Sequence, residues 1–215
     1  MTGTLALLSA AAALTTLPPL PERGLALETE AGVQLQSLSG RRLATLPALD
    51  LAPDQVTAHT LVLRARRGAL FALDPAARRL RPRALRRGCR TTDVQVVVCA
   101  GVIKRAGRII ARKPRGIGHW VWAVRSPDGD ALLAQWSAEC EVPVAYLVAG
   151  GKLHAYGTES AALGWLPGGE ALIHFPNGPC GGGTRARGIY AVPLTGKPRL
   201  VLGTGRFAQY LMWGG

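Results

Sequence analysis

The chain contains 215 residues, 48% of them hydrophobic, which is sufficient for one globular domain with a substantial core. Its 26 basic and 13 acidic residues give a formal net charge of +13. Two explanations of this charge are open: the protein binds an anionic partner, or the charge reflects an arginine-rich coding bias. Because helix-turn-helix, zinc-finger and ribonucleoprotein patterns are missing from the sequence, we expect no specific nucleic-acid binding.

The N-terminus is apolar. Residues 4–17 are rich in leucine and alanine, and Pro18-Pro19-Leu20-Pro21 follows them. The run is short for a bilayer span and resembles the hydrophobic part of a secretory signal. No Lys or Arg precedes it, so a start further upstream and a buried N-terminal helix remain as alternatives. We expect a signal-peptide-like segment over residues 1–22, removed or loosely attached, and a folded domain over residues 23–215.

Five segments share the pattern of a β-rich run, a tight turn and a second run. Glycine marks most of these turns, and glycine tolerates the positive φ that hairpin turns require. The predicted hairpins cover residues 33–46, 69–80, 102–111, 144–156 and 189–202. Five hairpins predict five blades.

A longer repeat supports the same architecture. Ser126-Pro127-Asp128-Gly129 and Leu166-Pro167-Gly168-Gly169 each precede a strand, and forty residues separate their prolines. Such a period, with short strands between turns, is typical of a β-propeller. Residues 211–215 resemble residues 164–169, a first strand that the N-terminal unit lacks. We therefore predict an all-β fold, a small β-propeller with five blades, closed by the C-terminal strand joining the N-terminal blade; six blades are the alternative.

The four cysteines form two plausible pairs. Cys140 and Cys180 each follow a repeat proline by thirteen residues, at matching positions of neighbouring blades. Cys89 and Cys99 flank a strand predicted over residues 94–98 and can meet across a turn. We predict both disulfides and hence an exported protein; four reduced thiols in the cytosol are the alternative. No CxxC spacing is present, so we expect no metal site.

Catalytic motifs are missing from the sequence. It has no HExxH, GxSxG or Walker-type loop, so we predict no catalytic residue and no cofactor. A carbohydrate-binding or glycan-cleaving propeller is the alternative, and cleavage requires two acidic groups that converge on one sugar bond. The predicted inner strands, residues 120–125, 163–166 and 207–213, contain neither Asp nor Glu. This composition favours a non-catalytic protein.

Three long segments, residues 112–119, 137–143 and 176–188, are predicted to lie on one face. In a four-stranded blade, the loop after the second strand and the connection to the next blade leave at the same end. Binding residues favour long loops on a rigid scaffold, and arginines suit anionic groups. Trp136 is expected to pack between blades, with sugar stacking as the alternative. The candidate binding residues are Arg112, Lys113, Arg115, Trp136, Glu139, Arg185 and Arg187.

Two units, residues 126–134 and 188–196, resemble the blade repeat of TolB-type (WD-like) propellers, in which an S-P-D-G turn precedes one strand and an I-Y-x-V strand precedes a short turn. The resemblance covers residues 120–213, and it indicates a fold rather than an activity. It implies a cell-envelope protein that binds other macromolecules. We therefore expect an exported, monomeric binding or scaffolding module. Its partner would be a protein or an anionic envelope polymer, with peripheral membrane association as a further option.

Overall fold

The structure is a computed structural model that describes residues 16–57, 60–65, 67–85, 87–138, 142–157, 159–176, 187–204 and 209–214. The chain folds into five four-stranded antiparallel sheets, the blades of a five-bladed β-propeller. Within the described residues the helical content is a single 3-10 turn, Pro53–Gln55, and no helix there is long enough to cross a membrane. The predicted all-β propeller is confirmed.

The sheets divide between two compact units: unit 1 comprises the chain up to Leu85 together with Tyr210–Gly214, and unit 2 runs from Arg86 to Gln209. Unit 1 contains a sheet of β1 (Gly24–Thr29), β2 (Gly32–Gln36), β3 (Arg42–Leu46) and β20 (Tyr210–Trp213), and a sheet of β4 (Leu49–Leu51), β5 (Val62–Ala65), β6 (Leu70–Asp74) and β7 (Arg79–Arg83).

Unit 2 contains three sheets, which we call the third, fourth and fifth. The third sheet contains β8 (Arg90–Asp93), β9 (Val96–Cys99), β10 (Val102–Arg105) and β11 (Arg108–Arg112). The fourth contains β12 (Gly118–Arg125), β13 (Ala131–Ala138), β14 (Pro143–Ala149) and β15 (Lys152–Ala155). The fifth contains β16 (Ala161–Trp165), β17 (Ala171–Phe175), β18 (Gly188–Val192) and β19 (Arg199–Gly203).

The C-terminal strand completes the N-terminal blade, as predicted. β20 pairs antiparallel with β1, from Gly24 opposite Trp213 to Leu27 opposite Tyr210. Gly24 permits this pairing because a Cβ atom at that position would lie 2.2 Å from the Trp213 ring. The Trp213 indole is fully buried and donates a hydrogen bond to the Pro21 carbonyl at 3.2 Å. Pairing removes an exposed strand edge from β1.

The packed part of unit 1 extends further towards the N-terminus than the expected start at residue 23. The Leu17 side chain is 4% exposed. Its backbone N–H donates to the Arg78 carbonyl at 2.8 Å, and its carbonyl accepts from Arg78 Nε at 2.8 Å. Residues 1–15 lie outside the described residues, so removal of the apolar segment stays a prediction.

All five predicted hairpins are confirmed, and each forms the two outermost strands of its sheet. The pairs are β2–β3, β6–β7, β10–β11, β14–β15 and β18–β19. Left-handed glycines form the turns in several of them, including Gly40 at φ 83° and Gly107 at φ 80°. These turns could be found from sequence because only glycine adopts such angles without steric cost.

One predicted strand has the wrong bounds, and the strand before it was missed. Residues 94–98 do not form one strand; β8 and β9 form a hairpin that turns at Val94 and Gln95, and Gln95 has a φ of 59°. β8 is polar and therefore gives no apolar alternation. It is also an inner strand, as is β4. Whereas the three inner strands found from sequence lack acidic residues, β4 carries Asp50 and β8 carries Asp93.

Aromatic packing holds the core of unit 2. Trp120 makes edge-to-face contacts with Trp136, at 5.1 Å between ring centroids, and with Tyr146, at 5.4 Å. Trp120, Trp136 and the buried residues Val96, Val98 and Ile103 of β9 and β10 belong to one cluster. Trp165 of the fifth sheet donates its indole hydrogen to the Val124 carbonyl of the fourth sheet at 3.2 Å. The predicted packing of tryptophans between blades is confirmed for these rings.

Candidate anion-binding surface

The three sheets of unit 2 share two ends. We call the end at which β8, β12 and β16 begin the connection end, and the opposite end the turn end. Backbone hydrogen bonds align the sheets at the connection end: Trp120 N–H donates to the Ala100 carbonyl at 3.1 Å, and Ser160 N–H donates to the Pro143 carbonyl at 2.9 Å. The first bond joins the third and fourth sheets, and the second joins the fourth and fifth.

The long segments predicted to share a face leave the sheets at this connection end. Gly118 pairs with Ala138, Ser137 pairs with Pro143, and Phe175 pairs with Gly188. These pairs place both flanks of the segments 139–142 and 176–187 at the connection end, together with the segment 113–117. The predicted Cys140–Cys180 disulfide, Glu139 and Arg185 lie outside the described residues.

The segment that joins β11 to β12 carries the densest positive charge of this end. We call residues 112–117 the basic connection. Arg112, Lys113 and Arg115 are all exposed. The connection is anchored on both sides, because Lys113 N–H donates to the Gly101 carbonyl at 2.8 Å and Trp120 N–H donates to the neighbouring Ala100 carbonyl. Three cations are therefore held on a short backbone fixed at each end.

The predicted disulfide between Cys89 and Cys99 is confirmed and lies beside these anchors. The Cα atoms of the two residues are 4.2 Å apart. The pairing of Arg90 with Val98 places the two cysteines opposite each other at the open end of the β8–β9 hairpin. Cys99 directly precedes Ala100, so the disulfide restrains the turn whose carbonyls hold the basic connection.

Trp136 does not lie on the exposed surface. Its side chain is 2% exposed and packs against Trp120. Gly118 passes directly over it, because a Cβ atom at Gly118 would lie 2.7 Å from the Trp136 ring and 2.3 Å from the Ser137 carbonyl oxygen. The Trp136 ring therefore supports the C-terminal end of the basic connection from below and presents no face for sugar stacking.

The inner strand β8 is joined to β12 by side-chain hydrogen bonds. Thr92 Oγ1 donates to the Ala123 carbonyl at 2.6 Å, and Asp93 Oδ2 accepts from Arg125 N–H at 2.7 Å. The Arg125 side chain also approaches the same carboxylate oxygen at 3.6 Å. With 5% of its side chain exposed, Asp93 serves as a buried structural acceptor between two sheets.

Charge is segregated between the two ends. Four of the five acidic residues among the described residues of unit 2 lie at the turn end, where Glu170 pairs with Arg199 at 3.2 Å and Asp93 with Arg125. The fifth, Glu159, lies at the connection end and is only 4% exposed. The described basic residues at the connection end are Arg87, Arg90, Arg112, Lys113, Arg115 and Arg187. The described surface of this end is thus positive, whereas that of the turn end is mixed.

The perturbed titratable groups of unit 2 occupy structural positions. Burial lowers the pKa of His174 to about 4, so its imidazole is neutral at physiological pH, and Nε2 lies 3.2 Å from the Thr204 hydroxyl. Hydrogen bonds from the Ser126 hydroxyl and the Asp130 amide lower the pKa of Asp128 within its turn. No group of three or more His, Cys, Asp or Glu residues suited to a metal ion occurs in the described part of the chain.

Three features of this surface were not predicted from the sequence. Ile117, within the basic connection, is 72% exposed, and Gly118 fixes the path of the chain after it with a φ of 148°. The flanking glycines, Gly116 and Gly118, were the available signal for an unusual backbone. The anchors on Ala100 and Gly101 had no signal, because backbone hydrogen bonds between separate hairpins leave no trace in residue type.

Comparison with known proteins identifies no family. No family model matches the chain, and no curated protein matches it. Among solved structures, the extracellular domain of a B. thetaiotaomicron protein described as a one-component system matches with 13% sequence identity and a TM-score of 0.33. The match covers 84% of this chain and 26% of that chain, so this chain spans about a quarter of its length. The relationship to TolB-type propellers stays a prediction.

Proposed function

We propose that the protein is an exported, non-catalytic binding module that binds an anionic partner, a protein or an envelope polymer, through the connection end of unit 2. The observation that carries this proposal is the segregation of charge. Arg112, Lys113 and Arg115 are exposed on a connection anchored to the backbone, while the acidic residues described in unit 2 lie at the other end or are buried. Anchoring lowers the entropic cost of binding because the backbone that carries the cations is already held in place.

Two observations support export to the periplasm, cell envelope or medium. The Cys89–Cys99 disulfide has one exposed partner, Cys89, and accessible disulfides persist in oxidising compartments. The apolar run over residues 4–17 resembles the core of a secretory signal.

The placement of the carboxylates supports binding rather than glycan cleavage. A glycosidase requires two acidic groups that converge on one bond. Of the two acidic residues on inner strands, Asp93 is buried against Arg125, and Asp50 is exposed on β4 of unit 1. His174 is buried and neutral, which removes it from acid–base chemistry at the surface.

Charge reversal tests the proposal. The variant Arg112→Glu/Lys113→Glu/Arg115→Glu is compared with Arg108→Glu/Lys152→Glu/Lys197→Glu, which makes the same change in charge at exposed residues of the turn end. The probes are polyglutamate, as a mimic of an acidic protein surface, and polyphosphate. We expect the connection variant to bind about tenfold more weakly at 0.15 M salt and the control to resemble the wild type, because exposed charges further apart than about 8 Å are screened.

Binding by the wild type should also weaken as salt is raised. Equal losses in the two variants would show that net charge alone is responsible and would overturn the assignment to the connection end. Binding of neither probe by the wild type would overturn the proposal itself.

A further inference from the structure

The basic connection combines its cations with an unusually exposed apolar side chain. At 72%, Ile117 has the largest exposure of the large hydrophobic residues in the described part of the chain. It lies two residues after Arg115 and four after Lys113. A single exposed aliphatic side chain is ordinary on a protein surface. An exposed aliphatic side chain beside several cations fits a surface that is both anionic and apolar.

The backbone on both sides of Ile117 is anchored. Lys113 and Trp120 tie the connection to the β9–β10 turn by one backbone hydrogen bond each. Gly116 and Gly118, on either side of Ile117, have φ angles of 110° and 148°, and Gly118 lies against the Trp136 ring. The Ile117 side chain therefore lies on a short connection that is anchored at both ends.

A similar sequence pattern occurs in unit 1, where it begins within the outermost strand of a blade instead of after it. Arg81-Pro82-Arg83-Ala84-Leu85 runs from the outermost strand β7 into the connection that follows it, as Lys113-Pro114-Arg115-Gly116-Ile117 follows β11. Leu85 is 53% exposed. Two connections of this chain, each considered within its own unit, thus end a basic, proline-containing run with an exposed aliphatic residue.

We propose that the basic connection is a peripheral contact to an anionic lipid bilayer, in which Arg112, Lys113 and Arg115 bind headgroup phosphates and Ile117 inserts at the acyl boundary. The inference rests on the proposed function, because it names a partner for the same anion-binding end. A soluble polyanion would pair with the cations and leave Ile117 in water. A bilayer would pair with the cations through its headgroups and also remove the Ile117 side chain from water. With one aliphatic side chain and three cations, the contact is reversible.

Co-sedimentation with lipid vesicles tests this inference on the full chain. The probes are vesicles of phosphatidylglycerol and phosphatidylcholine in equal parts, with pure phosphatidylcholine vesicles as the uncharged reference. We expect wild-type protein to partition onto the anionic vesicles only. Ile117→Ser should weaken partitioning about tenfold, from the loss of one inserted aliphatic side chain. Lys113→Gln should weaken it about fivefold, the effect of one cation near an anionic surface.

Leu200→Ser is the matched control. Leu200 follows Lys197-Pro198-Arg199 and is 52% exposed, but it lies at the turn end of the fifth sheet, next to the Arg199–Glu170 ion pair. The Leu200→Ser variant should partition onto the anionic vesicles as the wild type does. Ile117→Ser should also bind polyphosphate as the wild type does, because it retains every cation.

The outcomes separate the two proposals. Wild-type protein that binds polyphosphate but not anionic vesicles would overturn the lipid contact and leave the proposed function standing. Equal partitioning of Ile117→Ser and wild type would also overturn it, since charge alone would then explain the attraction. Wild-type protein that binds none of polyglutamate, polyphosphate and anionic vesicles would overturn both proposals.

Discussion

Removal of the Cys89–Cys99 disulfide is the most direct test of how the β8–β9 hairpin contributes to stability. The bond joins residues separated by 10 positions, and closing a loop of that size stabilises the native state by about 2.7 kcal/mol in the chain-entropy model. For a chain of this length, that loss lowers the midpoint of thermal unfolding by about 5–10 °C. We therefore expect Cys89→Ser/Cys99→Ser to fold and to be clearly less stable than the wild type.

The chain-entropy estimate of about 2.7 kcal/mol applies here because other native contacts also hold the β8–β9 hairpin. Arg90 Nη2 donates to the Val121 carbonyl at 2.7 Å, and Thr92 and Asp93 bond to β12 as described above. These bonds hold β8 in place after the disulfide is removed. The main effect is then greater freedom of the unfolded chain, which loses a covalent restraint.

Guanidinium and thermal unfolding of the double variant, without reductant, measure the effect. The control is the same variant with reductant. If the predicted Cys140–Cys180 bond forms, reductant lowers the stability of the variant further; if it does not, reductant changes nothing. A loss below about 0.5 kcal/mol for Cys89→Ser/Cys99→Ser would refute the entropic reasoning, because the unfolded chain would then already keep this hairpin closed.

Three further substitutions test the unit 2 contacts by urea unfolding. Gly118→Ala should lower the free energy of unfolding by about 3 kcal/mol, because residue 118 has a positive φ and its new Cβ would lie 2.3 Å from the Ser137 carbonyl oxygen. A change within about 0.5 kcal/mol would contradict this. Gln135→Leu should cost about 2–4 kcal/mol, since Gln135 Oε1 accepts from Ala162 N–H at 2.7 Å in a buried position. Burial lowers the pKa of His174 from 6.5 to about 4. Folding therefore disfavours protonation of this imidazole, so the free energy of unfolding is fully maintained above pH 6.5 and decreases by up to about 3 kcal/mol as the pH falls to 4. His174→Gln should flatten the pH dependence of the unfolding free energy in that window, and an unchanged slope would contradict the assignment.

The fold could be predicted from sequence because its signals are local. Four of the outer hairpins turn through glycine and one through the turn after Asp74, and the number of hairpins gives the number of blades. The strands that were missed lack such signals. β4 has three residues, too few for a periodic pattern, and the β8–β9 turn contains Gln95 with a positive φ where glycine is the expected residue.

The candidate site could be predicted only in part. Its cations were visible as a basic run, but the exposure of Ile117 and the burial of Trp136 depend on contacts between separate hairpins. β13 illustrates the difficulty, since its first six residues are all buried. A strand covered on both faces shows no alternation between apolar core and polar surface, so sequence does not reveal which side chains reach solvent.

The net charge by itself is weak evidence for an anionic partner, because strand edges explain part of it. Each of the five outermost strands begins with an exposed basic residue: Arg42, Arg79, Arg108, Lys152 and Arg199. Charged side chains on edge strands prevent edge-to-edge aggregation. These residues account for five of the 26 basic side chains without any ligand.

The case for a partner therefore depends on the location of the remaining charge, and above all on the basic connection, which follows an edge strand and is held by backbone bonds. The turn-end control variant matters for the same reason. Substitution of Arg108 and Lys152 by glutamate keeps a charged side chain on each edge strand, so the control variant stays protected against edge-to-edge aggregation. A difference in binding between the two variants then reports only where the positive charge lies.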